Sequence, residues 1–583
     1  MARTPTTEEV LVIGIDFGTT YSGVAWAYSR QPENIEVITN WESELTHCSD
    51  EEKSPTLLKC GKYGEQDEWG YTVTSAKDAF RWFKLLLLNE KDVDPVIYNC
   101  SEFREARSVR DASGKSAVEI VSRYLQLLWN HAINDIQIAI GEDLMVKCRF
   151  NVVITLPAIW PHYAQQRMEQ AAEMAGILAK RPCGTTLLRF ISEPEAAALS
   201  TLGDQANKST VEVDDNFVIC DAGGGTVDLI SYRVSEKTPF TLKESVKGDG
   251  GLCGGIFLDK NFLELVKSTT GGSWHNVSKK QELKFMNDSW EHGIKRQFRG
   301  RPRTWIVDTP DSVKKPQSQK RSKGLSLHTN EILKVFDPII RKIEALVKSQ
   351  SLAILSKYGK QPKYVILVGG FGRNPYLRDC LDKSVDAGTK VLQSQGTKPW
   401  VAICRGAVIH GLASLHLPQP LNIKVESRVA RLSYGVVFSE LYDPERHSIQ
   451  DMNFDSTEHV WKANNQMEWF LKQGQDLSKS SRVRRRYHRN YTGTVEEIEH
   501  WFYITASRNP PSRREDCVSR LCSVKWNTKV DSGKLPRHFN SLGVPYRVLN
   551  FEIEMTCDGR SIDFTVYYKG RAVANHNVVV EYE

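Results

Sequence analysis

The sequence predicts an α/β protein with two internally duplicated lobes, followed by a mostly β C-terminal module. Three observations carry this. First, an apolar run, Val10-Leu11-Val12-Ile13-Gly14-Ile15-Asp16, enters the Asp-led turn Asp16-Phe17-Gly18-Thr19-Thr20. Second, the arrangement recurs at Phe217-Val218-Ile219-Cys220-Asp221, which enters Ala222-Gly223-Gly224-Gly225-Thr226-Val227-Asp228. A returning strand follows each turn, at 24–28 and at 229–234. Third, strands alternate with helical stretches up to about residue 417, where Pro418 and Pro420 mark a change to period-two patterning.

Taken in order, the elements fit that frame. A polar tail covers residues 1–9, and the periodicity predicts a helix over 113–140 from Val118, Val121, Leu125, Leu128 and Ile133. A buried strand over 151–157 ends at Pro157, Pro161 opens a helix over 161–179, and a further helix covers 331–355. The strand 364–368 runs into Gly369-Gly370-Phe371-Gly372. The expected boundaries are a nucleotide-binding unit at 10–417 and a β module at 418–583. Within the first, lobe I covers about 10–215 and lobe II about 216–360, with a return to lobe I at about 361–417. In the β module, Leu549, Phe551, Ile553 and Met555 alternate with polar residues, as do Ile562, Phe564, Val566 and Tyr568 after an Asp558-Gly559 turn. Val578-Val579-Val580 reads as a last strand, and no helical lid follows it.

Composition narrows the function classes. The chain of 583 residues exceeds what one hydrophobic core serves. With 40% hydrophobic and 25% charged residues it is neither disordered nor collagenous, and no apolar run approaches the ~20 residues of a membrane span. A net charge of +6 offers little warrant for a nucleic-acid binder. The 12 cysteines form no CxxC pair, so reduced thiols rather than a zinc site are expected. With no cleavable leader in the tail, the expected location is cytoplasmic, extending to the nucleus, with no membrane partner.

Two Asp-bearing glycine turns provide what a Mg-nucleotide needs: backbone amides that approach phosphates, threonine hydroxyls as further donors, and carboxylates that hold the metal through its waters. Gly114-Lys115-Ser116 resembles the end of a Walker A loop but lacks the earlier glycine and a preceding strand, and reads as a helix start. The basic run Arg482-Val483-Arg484-Arg485-Arg486-Tyr487-His488-Arg489, followed by Glu496, Glu497 and Glu499, reads as a solvated loop. The basic stretch 295–323, with Pro302, Pro310 and Pro316, reads as an exposed insertion.

At these motifs the chain resembles the actin-like ATPase fold, with ribonuclease H-like lobes, and within it the 70-kDa heat-shock (DnaK-like) proteins. Residues 15–22 and 221–228 resemble that family's two phosphate motifs, Ile191-Ser192-Glu193-Pro194-Glu195-Ala196-Ala197-Ala198 its connecting segment, and Val368-Gly369-Gly370-Phe371-Gly372-Arg373-Asn374-Pro375 its adenosine motif. Phe17, Tyr21 and Phe371-Gly372 look like the divergent branch typified by heat shock 70 kDa protein 12.

The resemblance implies ATP/ADP and Mg²⁺ as cofactors, with Asp16 and Asp221 nearest the hydrated metal. Gly18, Thr19, Thr20, Tyr21, Gly223, Gly224, Gly225 and Thr226 would surround the phosphates. Glu193 would stand near the attacking water, with Asp228 either orienting that water or capping its own turn. The phosphate lysine is Lys84 or its competitor Lys77, with Lys84 preferred. Glu291, Lys295, Gly369, Gly370 and Arg373 would flank the adenosine, although 291–296 is one residue longer than the family pattern. Trp400 stands where the family carries an acidic residue and serves either base stacking or core packing. The linker, Pro420-Leu421-Asn422-Ile423-Lys424-Val425-Glu426, departs from the family's acidic-apolar one. Three functions follow as expectations: a weak ATPase of chaperone type with a protein or peptide client and co-chaperones; a nucleotide-gated scaffold; and, least favoured, a small-molecule kinase.

Overall fold

A continuous apolar run leaves a strand no solvent face, and β1 (Val10–Phe17) is buried along its whole length. The structure, a computed structural model, describes residues 9–577 apart from 44–49, 62–65, 74–78, 94, 159, 207–210, 238–239, 315–323, 394–395, 397, 416–422, 431, 479–480, 494–497, 508, 527–529 and 558–561. Antiparallel pairing of β1 with β2 (Tyr21–Tyr28) sets Asp16 opposite Gly23. On its other side β1 pairs in parallel with β3 (Arg149–Leu156), which pairs in parallel with β4 (Leu187–Ser192).

The second sheet repeats this plan. β5 (Asn216–Ala222) and β6 (Val227–Lys237) form an antiparallel hairpin with Asp221 opposite Asp228. β7 (Tyr364–Val368) runs parallel to β5, and β8 (Lys390–Gln393) parallel to β7. The orders β2-β1-β3-β4 and β6-β5-β7-β8 match in sequence and polarity, so the duplication read from the two turns is present. Each aspartate lies near the carboxyl end of its strand, where ligands bind in α/β sheets. One boundary is corrected. Strands 364–368 and 390–393 belong to the second sheet, so the chain returns to the first lobe only at the later helix 398–413. An apolar strand suits either sheet equally, and its pairing partner leaves no mark in its own pattern.

The helices fill the crossovers. In place of one helix over 113–140, α1 (Ser101–Ser113) and α2 (Ala117–Ile140) are separated at Gly114, whose φ is +68. Ser116 caps α2: its Oγ accepts the Glu119 amide at 3.2 Å, and the Glu119 carboxylate accepts the Ser116 amide at 2.7 Å. The helix start read at Gly114-Lys115-Ser116 is thus in place. α3 (His162–Met174) is shorter than the proline signal implied, and α4 (Glu193–Ala206), α5 (Gly255–Thr270), α6 (Thr329–Tyr358) and α7 (Lys398–Ala413) complete the unit. The apolar face of α7 packs on the first sheet through Val401, Cys404, Val408 and Leu412 against Val12 and Ala25. It crosses α4 at backbone contact: a Cβ on Gly406 would stand 1.7 Å from the Ala196 carbonyl oxygen.

Residues 425–583, with 243–247, form a second unit. One of its sheets has the order β10-β11-β9-β13-β14, built from β9 (Ser433–Leu441), β10 (Met452–Asp455), β11 (Val460–Leu471), β13 (Glu499–Thr505) and β14 (Ser519–Lys525). The other, in the order β12-β15-β16-β17, contains β12 (Ser481–Tyr491), β15 (Pro545–Cys557), β16 (Ile562–Tyr568) and β17 (Arg571–Asn577). The alternation at 549–555 holds: Leu549, Phe551, Ile553 and Met555 face a core shared with Phe470, Phe502, Phe564 and Val566. The Phe502 and Phe564 rings stack 3.7 Å apart. The Asp558-Gly559 turn and Val578-Val579-Val580 lie outside the described residues.

The loop expected at 482–489 is instead strand β12, paired with β15 along its length. Arg482 contacts Glu554 at 2.8 Å, and Arg484 and Arg486 contact Glu552 at 2.6 and 3.0 Å. Neutralisation of these arginines comes from acids across the sheet; Glu496 and Glu497 lie outside the described residues. The stretch 295–323 is also not simply exposed: Lys295 is half-buried in ion pairs, and Thr304–Val307 is a strand.

The tightest contact gives a stability prediction. Gly406→Ala forces α4 and α7 apart and should cost about 1–3 kcal/mol, read as a lower melting temperature of the first unit while the β unit's own transition stays in place.

Candidate functional site

The two Asp-led turns meet. A Cβ on Gly224 would stand 2.2 Å from the Thr20 hydroxyl, so a bare backbone is what lets the second turn close on the first. The first amides of α5 pin the second turn by its carbonyl oxygens: Gly254 donates to Gly225 at 3.2 Å, Gly255 to Gly223 at 3.0 Å and Ile256 to Gly224 at 2.9 Å. Thr56 holds the first turn, its hydroxyl donating to the Gly18 carbonyl at 2.8 Å and its amide to Thr20 at 2.8 Å. Sequence reading missed both supports. The run Gly250-Gly251-Leu252-Cys253-Gly254-Gly255 carried a visible glycine signal; Thr56 carried none.

Around these turns the fold buries four carboxylates, Asp16, Glu193, Asp221 and Asp228, with two lysines, Lys53 and Lys84. Lys84, 1% exposed, donates to Glu193 Oε1 at 2.5 Å. A lysine that deep needs such a partner. Its competitor Lys77 lies outside the described residues. Lys53, which no motif singled out, donates to Asp16 Oδ2 at 2.5 Å, and the Thr155 hydroxyl stands 3.5 Å from Asp16 Oδ1. Asp228 accepts from the Thr226 hydroxyl at 2.8 Å, which fits the turn-capping alternative and leaves its other oxygen to the cluster.

Electrostatics follow from burial. Desolvation, reinforced by Glu193, Asp228 and Asp16, pushes the Asp221 carboxyl well above its usual range. Burial also raises Glu193, against the pull of Lys84. Asp228 is raised to about 7, by burial first and Glu193 second. For Lys53 burial alone would lower the pKa, but Asp16, Cys404 and Asp221 together outweigh it and the ammonium is held. Asp221 Oδ1 is buried without a hydrogen-bond partner, beside Gly369, where a Cβ would stand 2.3 Å from it. An unpartnered carboxylate oxygen, a space kept open by a glycine and an excess of buried acids fit a hydrated divalent cation between Asp16 and Asp221. Among the described residues there is no group of three or more His, Cys, Asp or Glu that could hold a metal ion.

The adenosine side is assembled differently from expectation. Lys295 is held by Asp259 at 2.8 Å and Glu291 at 2.7 Å, which raise its pKa against burial. Asp259, on α5, had not been singled out. Glu291 lies in a wide, π-type helical stretch, Met286–Ile294, and meets Lys295 on one face. Asn374 of the adenosine motif donates to the Lys295 carbonyl at 2.7 Å, tying the two segments together. Gly369 takes φ +84 and Arg373 is half-buried. Trp400 lies where a side chain on Gly370 would stand, its ring edge-on to Tyr21 at 5.3 Å and under the Lys53 ammonium at 4.6 Å.

A family model described as Hsp70 protein matches residues 113–439, more than half of the chain. The chain belongs to the Hsp70 family. Its similarity to human heat shock 70 kDa protein 12B is 24% identity over 531 residues, covering 75% of this chain and 72% of that protein. With human heat shock 70 kDa protein 12A it is 24% over 526 residues, 75% of this chain and 73% of that protein. The HscA homolog of Acinetobacter baumannii (strain AYE), a chaperone protein by name, is 29% identical over 235 residues, 39% of this chain and 33% of that protein. This Hsp70-family protein is therefore a member of a divergent branch, and a nucleotide-binding one. A second model, a domain of unknown function (DUF8568), matches residues 428–581. No helix among the described residues is long and apolar enough to cross a membrane.

The raised Asp228 gives this Hsp70-family protein a pH signature. Because the folded-state pKa of about 7 lies above the ordinary aspartate value of 3.8, the folded chain keeps this proton longer, and stability falls as pH rises between those values. In nucleotide-free protein, Asp228→Asn should therefore raise stability at pH 8, by up to about 4 kcal/mol, and leave it unchanged near pH 3. Urea unfolding at the two pH values checks this.

Proposed function

We propose that this Hsp70-family protein binds ATP with Mg²⁺ between its two lobes, hydrolyses it slowly, and uses the nucleotide state to control binding of a protein or peptide by its C-terminal β unit. The observation that carries the reading is the convergence of Asp16, Lys84, Glu193, Asp221 and Asp228 on two duplicated glycine turns. Bound metal would be held through its waters by Asp16 and Asp221 and would neutralise phosphate charge. Lys84 brings a buried ammonium to the terminal phosphate, and Glu193 can hold and orient water. Phosphoryl transfer to water demands positioning and charge neutralisation more than covalent chemistry, so these groups form a sufficient set.

A second reading, a nucleotide-gated interaction protein with little turnover, is favoured by one observation. The β unit matches a family other than the Hsp70 model, which ends at residue 439. Hydrolysis and output are therefore tested separately. Asp221→Asn should weaken Mg-ATP binding at least about tenfold, and Lys84→Ala should slow single-turnover phosphate release about 10²-fold. Unchanged behaviour of both variants overturns the site. If the parent binds ATP but releases no phosphate, the second reading stands. If it hydrolyses ATP and a panel of extended peptides leaves the rate unmoved, the chaperone part falls.

A further inference from the structure

Lys53 belongs to none of the motifs that carry the family match, and the proposed hydrolysis does not use it. Yet the fold invests in it. Its side chain is 6% exposed and its ammonium lies 2.5 Å from Asp16 Oδ2. Its carbonyl accepts the Tyr71 hydroxyl at 3.1 Å, and its stem lies against the bare backbone of Gly23, where a Cβ would come within 2.9 Å of Lys53 Cγ. The ammonium lies over the Trp400 ring, 4.6 Å from its centre, and that ring also reaches Gly370 of the adenosine motif. The charge balance gives this placement meaning. Four buried carboxylates face two buried ammoniums, and Lys84 is committed to Glu193, so Lys53 alone among the described lysines pairs with Asp16. Asp16 is also one of the two carboxylates assigned to the hydrated metal.

We propose that Lys53 is a resident counter-cation for Asp16, a positioning residue that keeps the phosphate site able to hold a nucleotide when divalent metal is scarce. The inference rests on the nucleotide-binding reading above. A tethered ammonium on Asp16 removes part of the repulsion between that carboxylate and incoming phosphates, which is the part of the metal's work that needs only charge. Two unit charges a few ångströms apart in a partly enclosed site interact strongly enough to change affinity by tenfold or more. A role confined to packing against Trp400 would instead lower affinity by the same factor whether metal is present or not.

The test is ADP binding by calorimetry to the full chain, in saturating Mg²⁺ and in excess EDTA, for wild type, Lys53→Met and Lys53→Arg. The loss caused by Lys53→Met should be at least about tenfold larger in EDTA than in Mg²⁺, and Lys53→Arg should restore binding in EDTA. Equal losses in the two conditions overturn the proposal. If Lys53→Met does not fold, as its melting curve will show, wild type decides: ADP binding retained in EDTA supports the counter-cation, and its complete loss there overturns it. Absence of ADP binding by wild type even in Mg²⁺ refutes the nucleotide reading itself, and the proposal falls with it.

Discussion

Asp16 and Asp221 stand at the ends of equivalent strands in two equivalent sheets, and both are removed from water. A buried carboxylate is tolerated only where a cation, a set of donors or a proton meets it, and much of the surrounding structure supplies one of these. Asp16 is met by Lys53. Asp221 is left with an unpartnered oxygen and a strongly raised pKa. The asymmetry marks where an external charge belongs. Burial is also what makes Asp228 and Glu193 titrate high, with Glu193 adding to the rise of Asp228 and Lys84 opposing that of Glu193.

Close backbone approach is what brings these charges together. The crossing of α4 and α7 at Gly406, the contact of Gly224 with Thr20, and the bare space at Gly369 each depend on the absence of a side chain. Looser packing at these points would admit water and weaken the electrostatic coupling on which the site depends. The β unit obeys a separate logic. It has its own aromatic core, and its arginine strand is neutralised row by row by Glu552 and Glu554 across β12 and β15. Exposed ion pairs of this kind contribute little stability, but their pairing leaves few of these arginines free to act as an anion-binding face.

Much of the fold was legible locally. The buried strands, both Asp-led turns, the Ser116 cap and the alternation at 549–555 are features in which neighbours in sequence decide the conformation, and each is present. The misreadings share a cause. The lobe of strand 364–368 and the strand character of 482–489 escape the local pattern, because what settles each is a partner distant in the chain: β5 for one, the glutamates of β15 for the other. The helix over 113–140 was misread for a smaller reason, since the pattern of α2 was extended one step through a glycine that ends α1.

By itself, then, the sequence determined the duplicated hairpins, the glycine turns with their aspartates, the family, and the period-two character of the β unit, because all of these are written in residue spacing. Tertiary structure alone decided the charge balance of the site. Lys53 on Asp16, Asp259 on Lys295, Trp400 against Gly370 and the unpartnered oxygen of Asp221 join residues far apart in the chain, and Coulomb interactions depend on distance in space and on exclusion of water, neither of which a linear pattern encodes.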